Sequence, residues 1–251
     1  MLIDSLSFST SPWSTKRHSQ VECQSWRGEF LVITACWSVK GGSGTTVIAA
    51  ALGALAARQG STGALLADLA GDIPALLGMR NDGPGLLDWL LAGDEVPSDA
   101  LSRLEISGPG GIDVLPSGRL DGRADEADLQ GRSEVLAALL AVDPRQVVVD
   151  CGTQPTGAAL ILAAAAPISL LVLRPCYLAL CKALEAPVRP TGVVLVTEPD
   201  RSLGRRDVED ALGVPVCAEV MIDPAVARAV DAGVLSSRLP RSLERALRHA
   251  A

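Results

Sequence analysis

The sequence predicts an α/β fold in which a mostly parallel sheet carries helices on both faces, a three-layer sandwich. Three observations predict it. Short runs rich in Val, Ile and Leu alternate with Ala/Leu-rich helical segments from residue 30 onward. Most of these runs are apolar without interruption, as strands covered on both faces are. The first run, residues 30–36, leads at once into a glycine-rich turn and a helix, a unit from which parallel sheets are built.

Taken in order, residues 30–36 read as the first strand and residues 46–58 as a helix that stops at Gln59-Gly60. Further strands are expected at residues 63–69, 111–115, 146–150, 168–173, 192–196 and 214–219, and helices at residues 85–91 and 130–142. A charged loop through Asp121, Arg123 and Asp125 precedes the second of these helices. The most apolar segment, residues 156–173, is broken by Pro167 and reads as helix, turn and strand. At the C-terminus Leu239, Leu243 and Leu247 share one helical face. With no Trp or Phe to insert, that face is expected to pack on the domain and not on a membrane. Residues 1–29 follow neither period and read as a disordered leader ahead of one domain over residues 30–251.

Composition narrows the function. Hydrophobic residues make up 48% of the 251-residue chain and aromatics only 3%, so the core must be built from Ala, Val and Leu. A net charge of −7 argues against a surface that attracts nucleic acid throughout and leaves room only for a local basic patch. Arg201, Arg205 and Arg206 cluster, but Asp200, Asp207, Glu209 and Asp210 beside them predict a solvated face of mixed charge. The six cysteines form no Cys-x-x-Cys pair and the two histidines lie at opposite ends, which argues against zinc. Thiols inside apolar runs predict buried, reduced cysteines and a cytoplasmic protein. No apolar stretch has the length and purity of a membrane-spanning helix, and no secretory signal is evident.

The strongest signal is the turn Lys40-Gly41-Gly42-Ser43-Gly44-Thr45-Thr46, set between a strand and a helix. Such a loop binds phosphate because consecutive backbone N–H groups curl around its oxygens and the helix N-terminus adds partial positive charge. The glycines allow the close approach, and the Thr46 hydroxyl stands where a phosphate loop presents its Mg²⁺ ligand. The chain holds 22 basic residues, yet its only lysines are Lys16, Lys40 and Lys182. A lysine in this turn points to a compact charge placed on a phosphate.

The segment resembles the deviant Walker A box, KGGxGK[ST], of the ParA/MinD ATPases. That resemblance implies a P-loop, Rossmann-like fold, ATP and Mg²⁺ as ligands, and a homodimer that sandwiches its nucleotides. It matches Lys40 to the lysine that reaches the partner's phosphates. Thr45 stands where the ordinary P-loop lysine would be, a substitution familiar among the CpaE/TadZ proteins that localise Tad-type pili. Those proteins commonly carry a receiver-like domain ahead of the ATPase, for which residues 1–29 are too few.

Two further stations fit the family. Asp68 matches the first aspartate of the switch I strand, while Ala70 replaces the second, water-orienting one. Asp72 is either its substitute or simply the N-cap of a helix at Ile73-Pro74. Residues 147–152, which include Asp150, are similar to the Walker B strand, whose aspartate acts on the Mg²⁺ side. Arg174 faces either a nucleotide or a surface salt bridge, the commoner fate. The resemblance therefore implies catalytic parts for Lys40, Asp68 and Asp150, phosphate contacts along residues 40–46, and Mg²⁺ ligation by Thr46 and Asp150. It leaves three functions open: a weakly hydrolysing switch for a pilus system, a partition or division ATPase, and a nucleotide-binding scaffold without turnover.

Overall fold

Strands apolar on both faces need cover on both, and the computed structural model supplies it. It describes residues 33–60, 62–93, 96–97, 99–118, 126–199 and 201–248, with side chains from residue 130 onward in the helix that begins at residue 126. The expected charged loop at residues 121–125 and the leader lie outside the described residues, as do residues 30–32 of the first expected strand. The described strands are β1 (Ile33–Ser38), β2 (Ala64–Asp68), β3 (Ile106–Ser107), β4 (Ile112–Leu115), β5 (Gln146–Thr153), β6 (Ile168–Leu173), β7 (Gly192–Thr197) and β8 (Val216–Met221). They form one sheet in the order β3-β4-β2-β5-β1-β6-β7-β8. All neighbours are parallel except β3 against β4.

Alternate strand residues feed two cores. Ala35, Trp37, Leu65, Val147, Val149 and Leu171 face one side. There they meet α3 (Leu86–Leu91), α4 (Glu126–Ala141), α5 (Gly157–Ala165), α6 (Tyr177–Leu184) and α7 (Arg205–Leu212). Cys36, Leu66, Val148, Leu170 and Val172 face the other. That side is covered by α1 (Thr45–Gln59), α2 (Ile73–Leu76), α8 (Pro224–Asp231) and α9 (Arg241–Leu247). The expected three-layer sandwich is thus the observed one.

Several boundaries differ from expectation for physical reasons. β3 has two residues, too few to show a period, and sits at the sheet edge. β1 runs on to Ser38 because Trp37 is buried, its indole N–H donating to Ser169 Oγ at 3.0 Å. β8 begins after Pro215, which has no N–H for a ladder but whose carbonyl accepts from the Val193 N–H. α4 begins at Glu126, earlier than residue 130. α9 buries Leu243 and Leu247, with Leu239 ahead of it, so the C-terminal leucines pack on the domain as expected. No helix among the described residues is long and apolar enough to cross a membrane.

At the amino ends of β4 and β5 one cation gathers three acids. Arg145 reaches Glu105 at 2.7 Å, Asp113 at 2.8 Å and Asp143 at 2.7 Å, tying the β3–β4 edge to β5. Burial pushes the Asp143 carboxyl up, but its bonds from Arg145 outweigh this and hold it below the usual range. Arg145→Met leaves these acids facing one another and is expected to lower stability by about 3 kcal/mol, read as a lower urea midpoint with unchanged slope.

Candidate nucleotide site

The site forms where the connections from β1 diverge, at the carboxyl ends of β2, β5 and β1. Gly42 and Gly44 take left-handed φ of 76° and 87°, which permits the chain to curl back before α1 starts. A Cβ placed on Gly41, Gly42 or Gly44 would meet nothing within 4 Å, so no other part of the chain packs against these glycines. Ser43 Oγ donates to the Lys40 carbonyl at 2.7 Å and Ser38 Oγ does so at 3.4 Å, fixing the base of the turn. α1 then begins at Thr45, one residue before the predicted start, and its first N–H groups have no partner within the helix.

This loop forms one wall of a cavity of about 950 Å³. Gly42, Ser43, Gly44, Thr45 and Thr46 line it, together with Ala70, Asp72 and the segment after Asp150. Lys40 and Gly41 are exposed and lie outside that lining. Among the described lining residues there is no Lys or Arg, and the charged ones are Asp72 and Asp231. The missing P-loop lysine is therefore not replaced by another cation of the same chain within the cavity lining.

Asp68, the last residue of β2, and Asp150, within β5, sit side by side in register, and both are fully buried. Asp68 anchors the loop that follows it. Its carboxylate accepts from the N–H groups of Ala70 at 3.0 Å, Gly71 at 2.7 Å and Ile73 at 3.1 Å. Burial raises its pKa to about 6; the backbone bonds oppose the rise and Asp150 adds to it. A carboxyl raised in the folded state binds a proton that the unfolded chain has already released. Stability is thus expected to increase as pH falls from about 6 toward 4. Loss of this slope in Asp68→Asn, read from melting temperatures against pH, checks it.

Asp150 is different. Its Oδ1 accepts from the Gly152 N–H at 3.0 Å, but its Oδ2 is buried with no hydrogen-bond partner. Burial raises its pKa, the Thr46 hydroxyl and Gly152 N–H lower it, and nearby Asp72 raises it. A buried carboxylate oxygen left over beside a helix-start hydroxyl fits a Mg²⁺ ion carried in on phosphates. Cys36 and Cys151, beside it, are free and buried as expected, and burial lifts both thiols. Cys176 and Cys181 are free but only half-buried, and Cys217 is disulfide-bonded, which corrects the expectation of buried, reduced thiols there.

The structure separates the two possibilities for Asp72. It occupies the N-cap position of α2 yet makes no side-chain cap bond; Pro74 at the second helical position has no N–H to offer, and the Ile73 N–H goes to Asp68. Its side chain lines the cavity. Arg174 ion-pairs with Glu198, which Arg201 also binds at 2.6 Å. Arg205 pairs with Glu209 and Glu219, so this face has the expected mixed charge. Among the lining residues that sequence reasoning did not assign to the site are Gln154, just after β5, and Asp231, at the end of α8. The proximity of Gln154 to Asp150 in the chain is the one signal that was there to find.

No protein-family model matches the chain, and no curated protein matches it. Solved structures do match. A ParA family ATPase from Chlorobium tepidum TLS aligns with a TM-score of 0.70 at 17% identity, over 86% of this chain and 97% of that one. The septum site-determining protein MinD from Pyrococcus horikoshii OT3, complexed with Mg-ADP, aligns at 0.67 and 19%, over 87% and 93%. The MinC:MinD cell division protein complex of Aquifex aeolicus supplies a chain that aligns at 0.68 and 19%, over 87% and 93%. At these identities the likeness establishes the fold, which is the P-loop NTPase α/β sandwich of the ParA and MinD structures.

Proposed function

We propose that this chain is a ParA/MinD-type nucleotide-binding protein that takes Mg²⁺-ATP in the cavity at residues 42–46 and dimerises around it. The observation that carries this is the leftover Oδ2 of Asp150, buried near the Thr46 hydroxyl that follows the glycine turn. Backbone N–H groups of the loop and the start of α1 hold the phosphates. Thr46 and Asp150 would hold Mg²⁺, which supplies charge neutralisation at the β- and γ-phosphates when bound. That the similarly folded MinD of Pyrococcus horikoshii holds Mg-ADP supports this reading.

Because the cavity lining has no basic side chain, Lys40 of a second copy is the cation that completes it. Hydrolysis is weak, since both Thr45 and Ala70 lack groups that the family uses for turnover. The Thr45 substitution favours a role like that of the CpaE/TadZ proteins, positioning pilus assembly, over partition or division. ATP titration with and without Mg²⁺ tests the binding. The native chain is expected to bind in a Mg²⁺-dependent manner, and Asp150→Asn to lose that dependence. Equal binding with and without Mg²⁺ in the native chain would contradict it.

A further inference from the structure

We propose that Gln154 orients the attacking water for hydrolysis of the terminal phosphate, in the place left by Ala70. This rests on the ATP-binding reading above. Among the described residues Gln154 is the only non-glycine with a left-handed backbone, at φ 49°. Such strain persists where the surroundings impose it, and it gathers at functional sites. Here the imposing contacts are visible. The Gln154 N–H donates to the Ser38 carbonyl at 2.7 Å, and Thr153 Oγ1 bonds Ser38 Oγ at 3.0 Å. The turn after β5 is thereby pinned to the base of the phosphate loop, and Gln154 is held exposed among the residues that line the cavity.

Ala70 and Gln154 line this same cavity, and Gly152, two residues before Gln154, packs against Ala70. A Cβ on Gly152 would lie 3.2 Å from Ala70 Cβ. A carboxamide suits this task better than the remaining acid. Its oxygen accepts from water while its NH₂ donates to a phosphate oxygen, whereas the Asp72 carboxylate only accepts. In the step itself the water oxygen bonds to the terminal phosphorus. The bond from phosphorus to the bridging oxygen breaks with its electrons on ADP, and the water's proton leaves on inorganic phosphate.

The test measures ATP affinity and phosphate release together, in the full chain with Mg²⁺. Gln154→Gly suits the left-handed backbone, so the fold is kept while the carboxamide is removed. It is expected to bind ATP as the native chain does and to release phosphate about 100-fold more slowly. Ala70→Asp added to that variant is expected to restore release, which a merely structural glutamine would not allow. Native turnover in Gln154→Gly, or its loss in Asp72→Asn alone, would overturn the inference and leave ATP binding standing. So would a native chain that binds ATP without turnover. A native chain that binds no ATP would overturn the nucleotide reading itself.

Discussion

Thr45→Lys is expected to bind Mg²⁺-ATP about 10- to 100-fold more tightly than the native chain, the worth of one charge-assisted hydrogen bond to phosphate. Thr45 is 6% exposed, is the first residue of α1 and lines the cavity, so a lysine stem placed there runs along the wall toward the phosphates. No other Lys or Arg of the described lining competes for them. Phosphate release is expected to rise by roughly tenfold or more in the same variant, because the added cation faces charge that develops in the transition state. Unchanged affinity in a folded variant would mean that phosphates do not lie against the start of α1.

The second large effect belongs to Lys40. It is exposed beyond the lining of its own cavity, while its carbonyl is held by Ser43 and Ser38. A side chain so placed adds little to the affinity of its own subunit, and Lys40→Ala is expected to change ATP binding by the monomer less than about fivefold. Its effect falls on assembly. A cavity that holds Asp72 and Asp231 but no Lys or Arg in its described lining leaves the charge of a bound triphosphate only partly balanced until a second copy adds its own. The variant is therefore expected to stay monomeric with Mg²⁺-ATP and to release no phosphate, as sedimentation and a phosphate assay would record.

Much of the fold and the site is legible in the chain. Strands buried on both faces announce themselves as uninterrupted apolar runs, and the glycine turn after β1, which lines the cavity, marks the candidate site by its residues alone. What escapes such reading has physical causes. β3 is too short for a pattern and exists because an edge was there to pair with. That Asp68, five residues back, takes the Ile73 N–H depends on how the loop curls, which spacing does not determine. The left-handed turn at Gln154 is imposed by Ser38, a residue 116 positions away in sequence. The lack of a cation in the cavity is readable only in part. Thr45 shows one lysine missing, but the absence of a substitute in the described lining emerges only from the folded chain.

A second copy of the chain, on this reading, brings the charge that the phosphates need. Sedimentation velocity of the native protein with Mg²⁺ and a non-hydrolysable ATP analogue, beside Lys40→Ala, tests it most directly. The expected result is a nucleotide-dependent shift from the 26.0 kDa chain to about twice that mass, absent in the variant. A native chain that binds the analogue and remains at its single-chain mass would contradict it.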